Sequence, residues 1–223
     1  MSLKHSFYRH GRRHIEIHIN TDKENMDTKE LNALKDRAYR TAVAHGFHEE
    51  EKPDAYWLGL VMSEMGEAIN ADQKGMHADT KGFEEDLAKI PFVNGFKDIK
   101  DSFEAHIKDS VEDEIADIVI RLLDFAGMKG YTLSIPGLCI LPSIVVIREF
   151  EKNGLPGTLI QLIGPLDSSL NQHNTEKTIG IIIGILNDCF DEMTGGSDCD
   201  LWWFVKQKMR YNELRPKLNG KLY

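Results

Sequence analysis

Apolar residues recur at helical spacing through most of the chain. This pattern predicts a first helix over 28–45, capped at its start by Asp27 or Thr28. A second helix is predicted to follow Pro53 and to extend to about Gln73. Both helices carry apolar residues on one side, as expected of helices that pack against a core.

The middle of the chain begins with a polar connector at 74–97, within which one short helix is predicted at 83–89. Helical spacing then resumes and predicts one long helix from Asp98 to Met128, ended by Gly130. A glycine just after the last periodic residue is a common helix stop.

The rest of the chain predicts more helices after an irregular apolar segment at 131–142. Three helical segments follow, SIVVIREFEK, LPGTLIQLIGPLDSSL and TEKTIGIIIGILNDCFDEM. A final helix is predicted from Asp198 to about Leu214. The sequence therefore predicts one mostly helical, all-α domain over 27–223.

The N-terminus predicts an extended arm over 1–26. Residues 13–20 (RHIEIHIN) alternate strictly between polar and apolar residues, which is typical of a short strand. The alternation places His14 and His18 on one face, and with His10 they suggest a zinc site. No fourth ligand is spaced nearby, so we expect exposed arm residues instead.

Carboxylates interrupt two of the apolar helices. The first stretch, 57–71, contains Glu64 and Glu67 beside a core stripe of Leu58, Met62, Met65 and Ile69. The second stretch, 110–127, contains Glu112, Asp113, Glu114, Asp117 and Asp124 around a stripe of Val111, Ile115, Ile118 and Leu122. In each helix a spacing of three, from Glu64 to Glu67 and from Glu114 to Asp117, places two carboxylates on one flank.

Carboxylates near a core are costly unless they are protonated, paired with a cation or bound to a metal. Four hard oxygen ligands from two facing helices suit Mg²⁺, which also takes ligands from water and substrate phosphates. Alternatively, these acids lie on a solvated helix surface and pair with lysines. The occurrence of two such pairs in apolar sequence favours the metal site.

Composition limits the functional classes. A formal charge of −9 over 223 residues argues against nucleic acid as a partner. Cys139, Cys189 and Cys199 show no C-x-x-C spacing, which favours free thiols in a reducing compartment. The N-terminus lacks the apolar core of a signal peptide, and prolines break the most apolar stretch, 133–147. We therefore expect a cytoplasmic protein with no membrane partner.

The C-terminal segment 202–223 is basic in an otherwise acidic chain. Its cations include Lys206, Lys208, Arg210, Arg215, Lys217 and Lys221. Such cations can hold polyphosphate oxygens opposite a carboxylate-bound metal. Alternatively, they complement the dipole at the end of the last helix and aid solubility.

Three segments resemble the ExxE, ExxD and Lys/Asn/Arg motifs of the MazG-like, all-α nucleoside triphosphate pyrophosphohydrolases. They are SEMGEA at 63–68, DEIADIVI at 113–120 and KMRYNELRP at 208–216. The superfamily includes dimeric dUTPases, dCTP pyrophosphatases and phosphoribosyl-ATP pyrophosphohydrolases. The order of the three motifs matches as well, which is more specific than any one motif.

The resemblance implies a helical bundle in which Glu64, Glu67, Glu114 and Asp117 are the catalytic carboxylates and bind Mg²⁺, with Mn²⁺ as the alternative ion. The implied reaction is hydrolysis of a nucleoside triphosphate to a monophosphate and pyrophosphate. In that reaction one of the four carboxylates accepts a proton from the attacking water.

The resemblance also assigns substrate-binding residues. By position, Lys208, Asn212 and Arg215 are similar to residues that contact the substrate phosphates. Trp57 is similar to an aromatic residue of the base pocket, although ordinary core packing is an equally good interpretation of this side chain.

The resemblance covers residues 28–128 and 200–216, and the chain departs from the family between them. Segment 129–197 inserts apolar helices before the C-terminal helix, where compact members have a short connection. The expected assembly is a homodimer or a higher homo-oligomer. Two alternatives stay open: a catalytically silent helical module that binds a nucleotide or a partner, and an enzyme for a non-standard substrate such as phosphoribosyl-ATP.

Overall fold

The computed structural model describes residues 5–7, 15–17, 26–89, 95–134, 140–195 and 199–217. Within these ranges the fold is helical apart from one small hairpin, so the predicted all-α class is confirmed. The helices are α1 (Thr28–Ala44), α2 (Asp54–Gln73), α3 (Thr80–Lys89), α4 (Gly95–His106), α5 (Val111–Met128), α6 (Ile140–Gln172), α7 (Thr175–Thr194) and α8 (Leu201–Glu213). None of the described helices is both long and apolar enough to span a membrane.

The N-terminal hairpin pairs β1 (His5–Phe7) with β2 (Ile15–Ile17) in antiparallel orientation, with His5 opposite Ile17. The strand predicted from strict alternation is therefore present at 15–17. The three histidines that suggest a zinc site lie outside the described residues; they are His10, His14 and His18.

The first two helices begin and end where the sequence predicts. Asp27 caps α1, and its carboxylate accepts a hydrogen bond from the Glu30 backbone N–H at 2.6 Å. Gly46 follows α1 with a φ of +84°, in the left-handed region that glycine adopts readily. Pro53 precedes α2, where its fixed φ suits the start of a helix.

The prediction of one long helix over 98–128 is wrong, because α4 and α5 are separate. Asp109 adopts a φ of +64°, which ends the right-handed helical path. Ser110 then caps α5, since its hydroxyl oxygen accepts a hydrogen bond from the Asp113 backbone N–H at 3.2 Å. The break puts three acids in the first turn of α5, where the helix dipole favours negative charge.

The helices of the inserted segment belong to the same packed core. Helix α6 is kinked at Gly154, whose φ of +66° divides it at the boundary between two predicted segments. Helix α6 packs against α2 and α7, and α7 packs against α5 and α8. Leu159 and Ile183 are buried in the same apolar cluster as the residues of α1 and α2.

Helix α5 is central and contacts α1, α2, α7 and α8. Its predicted stripe is confirmed, because Ile115, Ile118 and Leu122 are buried. On α2 the predicted stripe is wrong at Met62, which is 47% exposed, whereas Val61 is fully buried. The helix is turned so that Val61 and Glu64 face α5, and this rotation leaves Met62 on the outside.

The crossing of α1 and α5 depends on Gly127. A Cβ atom at this position would lie 2.5 Å from Tyr39 Cβ and 3.2 Å from the Lys35 carbonyl oxygen. We expect Gly127→Ala to destabilise the protein by about 1–3 kcal/mol, the usual cost of overpacking. Gly59→Ala on α2 is the control, because nothing lies near its Cβ position and alanine favours a helix by about 0.5–1 kcal/mol. Urea unfolding of both variants measures the difference, and equal stabilities would contradict a close crossing.

Candidate metal site in an acidic cleft

A cleft of about 230 Å³ lies between α1, α2, α5 and α8. Seven of the eight site residues that the resemblance implies line this cleft: Glu64, Glu67, Glu114, Asp117, Lys208, Asn212 and Arg215. Trp57 does not line it. The tertiary structure therefore brings the three motifs together, although they lie far apart in the sequence.

Three of the carboxylates form a compact group, which we name the acidic cluster: Glu64, Glu114 and Asp117. One oxygen from each lies within 4.8 Å of the others. Glu64 and Glu114 are buried and Asp117 is partly buried, whereas Glu67 is exposed at the edge of the cleft. The spacing of three on each helix produces this arrangement because α2 and α5 pack face to face.

Arg121 was not predicted as a site residue. Its Nε donates a hydrogen bond to Glu64 Oε1 at 2.9 Å, and its guanidinium lies 5.7 Å from the Phe47 ring centroid. The signal was present in the sequence, since Arg121 follows Asp117 by four residues and so shares its face of α5.

Lys208 lies at the bottom of the cleft and is 4% exposed. Its Nζ contacts Asp113 Oδ2 at 2.6 Å and Asp117 Oδ2 at 2.8 Å. Burial alone would lower the pKa of Lys208, but the carboxylates of Asp117 and Asp113 raise it well above its usual range. Lys208 therefore lines the cleft as the counter-ion of two aspartates. Among the described residues, its ammonium has no other hydrogen-bonding partner.

Burial dominates the electrostatics of the acidic cluster. It raises the pKa of Glu114 to about 8, against the opposing effect of Lys208 and with a further increase from Asp117. Burial also raises the pKa of Glu64, where Asp117 adds to the effect and Arg121 opposes it. The clustered carboxylates therefore resist full ionisation at neutral pH unless further positive charge is present.

These shifts predict that the metal-free protein loses stability as pH rises. The raised pKa of Glu114 means that the folded state holds a proton which the unfolded state releases near pH 4.5, so stability falls between about pH 4.5 and 8. We expect Glu114→Gln to be more stable than the wild type at pH 8 by about 1–3 kcal/mol, the usual cost of an unpaired buried polar group. At pH 4.5 the two proteins should be similar. Thermal unfolding with EDTA measures this, and a constant difference across the range would contradict it.

The remaining acids of α5 have partners of their own. Glu112 accepts hydrogen bonds from the Ala78 backbone N–H at 3.0 Å and lies 2.9 Å from His77 Nδ1. Asp124 lies 2.8 Å from His48 Nε2. The acids of this apolar helix thus have several roles. Glu112 anchors a neighbouring loop, and Asp113 and Asp124 have basic partners. Glu114 and Asp117 belong to the acidic cluster.

The side of the cleft formed by α8 differs from the acidic cluster in charge. Asn212 Oδ1 is buried and has no hydrogen-bond partner among the described residues. Arg215 lines the cleft with its guanidinium 5.6 Å from the Tyr211 ring centroid. Arg210 on α8 is exposed and does not line the cleft.

Trp57, the aromatic residue assigned to a base pocket, is 4% exposed. It stacks on His48 with the ring centroids 4.4 Å apart and contacts Tyr56 edge to face. His48 in turn pairs with Asp124. In this structure Trp57 therefore packs in the core and does not line the cleft.

The acidic cluster fits a hard divalent cation in ligand type and charge. All of its ligand atoms are carboxylate oxygens, which Mg²⁺ and Mn²⁺ prefer. Together with Asp113, the cluster carries four negative charges when ionised, whereas Arg121 and Lys208 supply two positive charges. A divalent cation would balance the remaining two negative charges of these residues, and Glu67 at the edge of the cleft adds one more carboxylate.

Comparisons with protein-family models, with curated proteins and with solved structures found no match.

Proposed function

We propose that this protein hydrolyses a nucleoside triphosphate to a monophosphate and pyrophosphate with Mg²⁺ or Mn²⁺. The observation that carries the proposal is the acidic cluster, which lines one cleft together with Asn212 and Arg215. Such a cleft can hold a metal on one side and phosphate oxygens on the other. The motif order in the sequence, which resembles that of the pyrophosphohydrolases, supports the same reaction.

The proposal gives the residues of the cleft distinct roles. Glu64, Glu114 and Asp117 would hold the ion, with Glu67 at the open edge as a fourth ligand or as the base that accepts a proton from water. Bound Mg²⁺ supplies charge neutralisation of the phosphates and a more acidic water.

The roles on the α8 side follow from charge and hydrogen-bonding capacity. Arg215 offers the fork of donors that matches phosphate oxygens, and Asn212 offers an amide group whose oxygen lacks a partner among the described residues. Lys208 pairs with Asp117 and would hold it in place, and the phosphate contact that the resemblance implies for Lys208 stays a prediction.

The test is a panel of standard and modified nucleoside triphosphates, with phosphoribosyl-ATP included, assayed for pyrophosphate with Mg²⁺ or with EDTA. We expect pyrophosphate and a monophosphate in equal amounts from at least one substrate, and none with EDTA. Release of orthophosphate instead would show cleavage at another bond and would refute the proposal.

A second candidate is a nucleotide-binding module without catalysis. The ion pairs of Arg121 with Glu64 and of Lys208 with Asp117 favour it, because they partly neutralise the acidic cluster without a metal. This candidate predicts that a nucleotide binds, as measured by calorimetry, and that no pyrophosphate appears with any substrate of the panel.

A further inference from the structure

Arg121 and Lys208 each pair with a carboxylate of the acidic cluster. They differ in the hydrogen-bonding partners that each side chain would keep if that pair were broken. Lys208 also contacts Asp113, which is 1% exposed, so it keeps a buried partner if Asp117 turns towards another cation. For Arg121, the bond from Nε to Glu64 is the one hydrogen bond found among the described residues. Its side chain is 20% exposed and lines the cleft, where the charges of Asp117 and Asp124 also attract it.

Glu64 can offer one carboxylate oxygen to Arg121 and the other to an ion, but this brings the two positive charges close together. A guanidinium and a divalent ion that share one carboxylate lie within a few ångströms of each other, and their repulsion is strong where water is scarce. Glu64 is 7% exposed, so little water screens the two charges. Occupation of the acidic cluster therefore works against the bond from Arg121.

We infer that Arg121 is an internal competitor for the metal site: it holds Glu64 while the acidic cluster is free of metal and releases Glu64 when a divalent cation binds. This inference rests on the proposed function, because it takes the acidic cluster as the site of the ion. Arg121 is thus a positioning residue, which keeps the Glu64 carboxylate ordered and partly neutralised before the ion arrives.

The exchange has a thermodynamic consequence. The ion must displace Arg121, so the measured affinity for Mg²⁺ is lower than the affinity of the same carboxylates without this competitor. Because Arg121 lines the cleft, a released guanidinium would add positive charge to the cleft for a substrate anion.

The test is Mg²⁺ binding to the full chain without nucleotide, measured by calorimetry on the wild type, Arg121→Gln, Arg121→Lys and Lys108→Gln. We expect Arg121→Gln to bind Mg²⁺ about tenfold more tightly or better, since a charge-assisted hydrogen bond no longer has to be broken. Arg121→Lys keeps the charge and should stay within about threefold of the wild type. Lys108→Gln is the matched control, because Lys108 lines the cleft but pairs with Asp109, outside the acidic cluster. It should also change the affinity less than about threefold.

A second measurement does not depend on a variant that folds. In ¹⁵N-labelled wild-type protein, the Nε–H signal of Arg121, identified by its loss in Arg121→Lys, should shift as Mg²⁺ is added. Unchanged Arg121 resonance in protein saturated with Mg²⁺ would overturn the inference, as would equal Mg²⁺ affinity of Arg121→Gln and the wild type.

The outcomes separate this inference from the proposed function. Absence of Mg²⁺ binding in the wild type and in every variant would refute both. Binding by Arg121→Gln alone would support the competition and would refute a Mg²⁺-dependent activity of the wild type.

Discussion

Glu64→Gln and Asp117→Asn are each expected to abolish Mg²⁺-dependent release of pyrophosphate, or to reduce its rate by about a hundredfold to a thousandfold. Both residues belong to the acidic cluster, whose oxygens lie within 4.8 Å of one another. A neutral amide keeps the size of the side chain but loses the charge that a divalent ion requires. The rate at saturating substrate and Mg²⁺ is the measurement.

Asp72→Asn is the control for these two variants. Asp72 lies on α2, the helix that carries Glu64, but it does not line the cleft. Its substitution should leave the rate within about twofold of the wild type, because Asp72 is only partly buried and lies outside the cleft. Full activity of both cluster variants, with folding verified by circular dichroism, would show that the acidic cluster is not the site of the reaction.

Lys208→Ala is expected to destabilise the protein by about 3–5 kcal/mol, because it leaves a buried charge without its partner. Burial raises the pKa of Asp113 to about 6 even though Lys208 lowers it, so this carboxylate depends on the cation. Such a loss is a large part of the usual stability of a domain, which is about 5–15 kcal/mol. Urea unfolding at pH 7.5 measures the change.

Two comparisons make the cause of that loss identifiable. Arg210→Ala, on the same helix and exposed, should change the free energy of unfolding by less than about 0.5 kcal/mol. The double variant Asp113→Asn with Lys208→Ala opens the same space but also removes the charge of Asp113, so it should be more stable than Lys208→Ala. A double variant as unstable as the single one would assign the loss to packing rather than charge.

For Lys208 the structure adds a role that its position in the sequence does not indicate. From the sequence, Lys208 and Asn212 are one helical turn apart, which places them on one face, and the structure brings both to the cleft. The resemblance implies a phosphate contact for Lys208. In the structure its ammonium pairs with Asp113 and Asp117, so its removal is expected to lower stability as well.

Local sequence signals were sufficient to predict where most helices lie, because the spacing of apolar residues, the capping residues and the stop residues all act within the helix itself. Asp27, Pro53 and Gly130 each act within a few residues of the helix end that they mark. The break at Asp109 was missed because the apolar spacing continues across it. A capping signal was available, since Ser110 precedes Asp113 by three residues, as in a capping box.

The sequence by itself determined that the protein is helical and that Glu64, Glu114 and Asp117 share the flanks of two helices, because 3.6-residue periodicity is a local property. Only the tertiary structure decided which charges meet. Arg121 reaches Glu64 across 57 positions of the chain, and Lys208 reaches Asp113 across 95. Pairings at such separations depend on how α2, α5 and α8 pack, and burial then sets their strength by excluding water.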